Sequence, residues 1–352
     1  MSALSSRQAG VSLVEVMIAL ALGLIVSVGA LSLMLGNRQA NRTTESLSRV
    51  QEGSRVAFEL MSRDLRSAGI NACNGGVSRV MNLLRDPGTR WWSEWTGGLR
   101  GFAGTDASGA VLIGTAEGQR VSGTHLMEVM HGSSTAFPVK AHNTGSADAT
   151  LSGLTVPAYS IAMEKPGGQS HSFVTGDLVV ACDYVDSAIF QITGVNADAH
   201  SIAHAAASGE PGNCSASLGF RLNCATSSVK TLPPGALVMR LEPVAWYVGY
   251  NGRTGSESSP TSLYRISVRG DGAGNAVATR EEVIEGVTAM TVAYMFDETY
   301  QSVDKVSDWS RVTGVEITLT IQSPESGTTT GSSMTRLQRT VSHVVNLRNR
   351  VK

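Results

Sequence analysis

Between Val11 and Gly36 the stretch VSLVEVMIALALGLIVSVGALSLMLG holds one ionisable residue, Glu15, in 26 positions, and nothing else in the chain restricts its folding as strongly. As a helix rising about 1.5 Å per residue it would measure roughly 39 Å, enough to cross a hydrocarbon core of about 30 Å. A secretory signal has an apolar run of about 7 to 15 residues followed by a small-residue cleavage site. This run is longer, and no Ala-x-Ala lies just after it. The preceding MSALSSRQAG is short and polar, carries Arg7, and ends in Gly10 at the polar-to-apolar junction. By the positive-inside tendency Arg7 keeps this end cytoplasmic and sends the remainder outward, a weak bias because Arg38 and Arg42 flank the other end.

Glu15 needs a physical explanation, because a carboxylate in a membrane helix costs roughly 2.5 to 3.5 kcal/mol on insertion scales. No Lys, Arg or His lies within the segment to pair with it. Two arrangements accommodate it. Cleavage after Gly10 would give Val11 a free ammonium, which the Glu15 of a neighbouring copy can meet. Alternatively the carboxyl lies close enough to the interface to be hydrated or protonated.

From Asn41 to Gly69 the pattern stays helical, with Leu47, Val50, Ser54, Phe58, Met61, Leu65 and Ala68 recurring at steps of three or four. Arg49, Glu52, Arg55, Glu59, Arg63 and Asp64 fall largely between them, so a single amphipathic stripe continues the apolar helix as a stalk, with Gly69 as its stop signal. Beyond it the runs become strand-like: 125–131, 176–184, 188–195, 237–250, 263–269, 281–296, 314–323 and 340–350. The 38 glycines, with Gly/Ser/Thr-rich pieces at 104–123, 144–153, 252–261 and 323–333, supply the turns between them. A long helix followed by mostly antiparallel strands is an α+β pattern.

Lys and Arg total 28 against 29 Asp and Glu, so no strong field draws in a polyanion and no nucleic acid is indicated. Cys73, Cys182, Cys214 and Cys224 all follow the apolar segment and match no paired zinc spacing, which favours two disulfides in an oxidising compartment over a metal site. Of the three connectivities, Cys214 with Cys224 across a short loop and Cys73 with Cys182 from helix end to sheet is the one we favour.

Other candidate chemistry is weak. His200 and His204 have a helix-face spacing, but AHSIAHAAASG reads as a loop or strand edge and no metal is indicated. Asp271 and Asn275 in RGDGAGNAVA offer two oxygen-bearing side chains against the 6 to 8 ligands calcium usually takes, so a hairpin turn is expected there. Trp91, Trp92 and Trp95 are expected to be buried rather than to mark a partner surface. No nucleophile elbow, phosphate loop or dinucleotide fingerprint lies in a fitting context, and neither an enzymatic activity nor a cofactor is expected.

Gly10-Val11-Ser12-Leu13-Val14-Glu15 resembles the type III signal of type IV prepilins: a glycine, a hydrophobic residue, and glutamate fifth in the mature chain. Val11 stands where phenylalanine is usual. Further blocks, SRDLRSAGINAC (62–73), GDLVVACDYVDSAIFQITGV (176–195), EEVIEGVTAMTVAY (281–294), DWSRVTGVEITL (308–319) and LRNR (347–350), resemble the PilW family of minor pilins in that family's order.

The resemblance implies a pilin-like layout. Residues 1–10 would be a leader peptide, 11–36 the transmembrane half of the helix, 37–69 its amphipathic stalk, and 70–352 a periplasmic β-rich domain. A prepilin peptidase would cut between Gly10 and Val11 and methylate Val11. The subunit would sit in the inner membrane, then join other minor pilins, the major pilin and a tip adhesin to initiate the pilus, supporting twitching motility and adhesion. The alternative is a J-type minor pseudopilin of type II secretion.

Overall fold

The computed structural model describes residues 10–69, 79–183, 185–198, 200–206, 209–224, 226–255, 257–325, 336–347 and 350, the side chains of 221–223, 226 and 227 excepted. One continuous helix, α1 (Leu13–Arg66), accounts for its first part. Ser12 is its N-cap in extended geometry (φ −72°, ψ 143°), and Gly69 follows its last turn at φ 73°. Every residue from 10 to 38 is exposed, and the most apolar window has a mean hydropathy of 2.5 with none of it buried. The hydroxyls of Ser27 and Ser32 donate to the carbonyls of Gly23 and Val28, so neither carries an unsatisfied donor into apolar surroundings.

The strands follow as β1 (Arg79–Asn82), β2 (Leu99–Phe102), β3 (Leu126–Asn143), β4 (Ala149–Leu151), β5 (Leu154–Val156) and β6 (Ser160–Met163). Next come β7 (Leu178–Cys182), β8 (Asp186–Gln191), β9 (Gly194–Asn196), β10 (Ser201–Ala203), β11 (Arg221–Asn223) and β12 (Thr226–Ser227). The last are β13 (Leu237–Tyr250), β14 (Thr261–Gly270), β15 (Ala276–Glu285), β16 (Val287–Phe296), β17 (Thr299–Gln301), β18 (Gly314–Gln322) and β19 (Gln338–Asn346). The large sheet runs β1-β8-β7-β13-β3-β6-β10-β9, with β14 and then β15 beside β13 and β2 beside β3; a second sheet runs β17-β16-β18-β19. Among the described residues all pairings between these strands are antiparallel except β1 with β8, so the architecture is the α+β one that a long helix followed by mostly antiparallel strands implies.

The packed half of α1 lies where the two sheets meet. Val50, Ala57, Phe58, Met61, Leu65 and Ala68 share one core with Met127 and Val129 of β3, Val244, Trp246 and Val248 of β13, and apolar residues of β16, β18 and β19. The stripe at steps of three and four is therefore the buried face, and full burial of side chains such as Met61 and Leu65 stabilises the seat by roughly 1.5 to 3 kcal/mol each. A second core of Phe137, Val139, Val179, Phe190, Ile202 and their neighbours contains no residue of α1.

Three expectations need correction. The run 281–296 is two strands, because Gly286 at φ 92° turns the chain between β15 and β16 and sends them into different sheets. The segment 125–131 is only the start of the 18-residue β3, since Gly132-Ser133-Ser134 is not a turn. Opposite it the register shifts between Met239 and Leu241, so the extra residues form a bulge, and Ser133 Oγ accepts the Arg240 N–H at 3.2 Å. The run 188–195 likewise divides into β8 and β9.

Candidate functional site

The segment that carries the prepilin-like pattern stands clear of the folded domain. Gly10, Val11 and Ser12 precede the helix in non-helical backbone, and a side chain built at Gly10 would meet nothing within 4 Å. Val11 is 68% exposed. Glu15, also exposed, lies in the first helical turn, where the unpaired N–H groups of the helix favour negative charge. Residues 1–9, the rest of the expected leader, lie outside the described residues.

At its other end α1 is fixed to the sheets by Asp64, a residue the periodicity placed among the solvent-facing charges. It is 2% exposed. Asp64 Oδ2 accepts from Trp246 Nε1 at 3.1 Å and from Arg265 Nε at 2.9 Å, while Oδ1 accepts from Arg265 Nη2 at 3.4 Å and lies 3.8 Å from His131 Nε2. Burial alone would push its carboxyl up, but His131 and Arg265 together hold it below the ordinary carboxylate range. These partners lie on β3, β13 and β14, so the carboxylate ties one helical position to three strands of the large sheet. Just beyond, the Gly69 N–H donates to the Met130 carbonyl at 2.8 Å and the Met130 N–H to the Gly98 carbonyl at 2.9 Å. The helix thus leaves its last turn hydrogen-bonded into the middle of β3.

Sequence reasoning missed Asp64 because its partners are 67 to 201 positions away; a signal existed only in its place next to Leu65 on the stripe side. The histidines behave differently from their spacing. His200 and His204 flank β10 and do not meet each other: His204 Nε2 lies 3.0 Å from His142 Nε2, and the ring centroid of His200 lies 4.5 Å from that of His171. His204 Nδ1 bonds the Ala216 carbonyl and so carries the proton, whereas His142 Nδ1 accepts the Leu232 N–H, so His142 Nε2–H donates to a bare His204 Nε2. His200 accepts the His171 N–H at Nε2 and donates from Nδ1 to the Met163 carbonyl. His142, His200 and His204 thus have no lone pair left for a cation. Burial pushes His142 down to about 3 and His204 down to about 4, so both are neutral at ordinary pH. Among the described residues no group of three or more His, Cys, Asp or Glu is arranged for a metal ion.

Cys214 and Cys224 are joined, with Cα atoms 4.9 Å apart. Cys182, in β7, is also disulfide-bonded; Cys73, the partner expected for it, lies outside the described residues. Asp271 closes the β14–β15 hairpin by accepting from Ala273 and Asn275. Trp92 is buried in a core cluster against which Trp91 and Trp95 pack.

Comparison with known proteins adds one finding. Residues 5–31 match the family model of the prokaryotic N-terminal methylation motif, a span that takes in Gly10, Val11 and Glu15 and ends inside the exposed half of α1. No curated protein matches the chain. The motif is the type IV prepilin-like signal and indicates a type IV pilin-like or pseudopilin substrate, which implies processing by a prepilin peptidase and assembly with other pilins; the one membrane-length helix among the described residues fits a membrane anchor.

Proposed function

We propose that this chain is a PilW-type minor pilin, a structural subunit that helps initiate a type IV pilus and sits at or near its tip. The observation that carries the reading is a methylation motif on an exposed, membrane-length helix half that continues without a break into a stalk seated between two sheets. Such a helix satisfies its own backbone in lipid and can exchange lipid for other pilin helices, while the sheet domain stays outside the membrane.

In this reading the peptidase cuts between Gly10 and Val11, in non-helical backbone ahead of the first helical turn, and methylates Val11. The Glu15 carboxylate then meets the Val11 ammonium of a neighbouring subunit. Other minor pilins, the major pilin and a tip adhesin are the partners, in the inner membrane and periplasm before assembly. The protein acts stoichiometrically, as a primer, and catalyses nothing.

Mass spectrometry of the full chain extracted from membranes tests the processing. The expected mature chain begins at N-methyl-Val11; one beginning after residue 36 overturns the assignment. Deletion tests the role: surface pili and twitching fall sharply although the subunit is scarce in sheared filaments, and some pili return when retraction is also disabled. Loss of type II secretion instead would make the chain a J-type pseudopilin.

A further inference from the structure

The last strand of a sheet presents unpaired N–H and C=O groups, and folded proteins usually blunt such an edge with charges, proline, a bulge or a covering element. Among the described residues two long strands end a sheet, and they differ. β15 carries Arg280, Glu281, Glu282 and Glu285 within ten residues, and so is guarded by charge. β19 pairs with β18 from Gly314↔Asn346 to Gln322↔Gln338 without any register shift.

The hydrogen bonds flanking β19 fix which of its groups face outward. The Leu347 N–H donates to the Thr313 carbonyl and the Ser323 N–H to the Leu337 carbonyl, so the odd-numbered residues of β19 bond β18. The N–H and C=O of Gln338, Thr340, Ser342, Val344 and Asn346 therefore point to the open edge. The side chains of these five residues are exposed and uncharged. Thr318 and Thr320 of β18 steady two of them, at 2.7 Å to Ser342 and 3.2 Å to Thr340. The inner face is anchored as well, with Val345 in the helix-bearing core and the His343 ring 5.2 Å from that of Phe58. β19 carries one charged residue, Arg339 near its start, and from Thr340 to Asn346 there is no Lys, Arg, Asp, Glu or proline.

We propose that this edge receives an extended, uncharged segment of another pilin-like subunit as an added strand, continuing the β17-β16-β18-β19 sheet across the subunit boundary. The inference rests on the pilin reading above, which also selects the occupant. Antiparallel pairing of β19 with a second copy would relate the chains by a twofold perpendicular to the sheet and point the two α1 helices in opposite directions. Chains anchored by α1 in one membrane share a direction, which rules out that antiparallel self-pairing, so the proposed occupant is a strand of a different subunit.

Hydrogen exchange of the full-length chain in detergent micelles, compared with the same chain in filaments sheared from cells, tests the proposal. Residues 338–346 are expected to exchange at least about tenfold more slowly in the filaments, with residues 276–285 unchanged. Ser342→Pro removes an outward N–H and spares the ladder to β18, and Val344→Lys adds the missing charge. Each is expected to leave the level of processed chain and the Cys214–Cys224 bond as in wild type yet reduce filament incorporation about tenfold or more, whereas Val277→Lys on β15 leaves incorporation unchanged. Unchanged exchange at 338–346 in filaments that contain the chain, or normal incorporation of both β19 variants, overturns the inference alone. Slow exchange at 338–346 in a dimer of the chain by itself makes a second copy the occupant and also overturns it. Absence of the chain from every filament overturns the pilin reading, and the inference with it.

Discussion

Replacing Asp64 by Asn keeps the shape of the side chain and removes its charge, leaving Arg265 and His131 packed beside a neutral group. Stripping one partner from a buried ion pair typically costs about 3 kcal/mol, and Asp64→Asn is expected to lose that order of stability in denaturant titration of the full chain. Because the folded-state carboxyl is held below 3.8, the contribution is fully present above that pH and disappears as pH falls through the lower folded value, so the gap between wild type and variant closes only in strong acid. Glu128 runs the other way. It is buried on β3 with Ser108 Oγ donating to it at 2.8 Å, and burial pushes its carboxyl up from 4.5 to about 7. The folded state holds the proton that the unfolded chain releases, so stability falls as pH rises from 4.5 to 7. Glu128→Gln removes that slope, and the variant should gain roughly 3 kcal/mol over wild type at pH 8 and match it near pH 4.5. Neither carboxyl could be assigned from the sequence, since a charged residue announces its burial only through partners that the chain brings from far away.

Helix α1 was legible because it is long and its apolar positions recur with one period, first on all sides and then on a single stripe. Strands were legible where turn residues bounded them, as with β13 at 237–250, and were misjoined or cut short where one glycine did two different things. Gly286 ends a strand inside an apolar run, while Gly132 continues one through a bulge that no local rule distinguishes from a turn. Gly98 shows what such a position demands. It has φ 85°, and a Cβ there would run into the backbone of Gly69, which follows the last turn of the helix. Gly98→Ala is expected to cost about 3 kcal/mol or more, and to raise hydrogen exchange around residues 65–69 and 98–102 before the rest of the domain.

At the scale of the whole molecule the prepilin-like signal was readable in six consecutive residues, because a peptidase reads it before the domain matters. The sheet edge was not, since only the pairing order shows which strand ends a sheet. Glu15 lies far from both cores, so Glu15→Ala should leave processing, folding and the Cys214–Cys224 bond intact and lower incorporation into filaments; normal piliation from this variant as the sole copy would discount the pairing with Val11. In the reading proposed above, the filament is also pulled on. Any load borne by α1 enters the domain through residues 46–68, at Asp64 and the Gly69–Met130 hydrogen bond, and passes into β3 and β13. β13 is bonded to β3 along one flank and to β7 and then β14 along the other, so tension arriving there is shared among many bonds that would have to break together. The anchoring of the helix end in the middle of the sheet makes this domain a mechanical terminal for its helix.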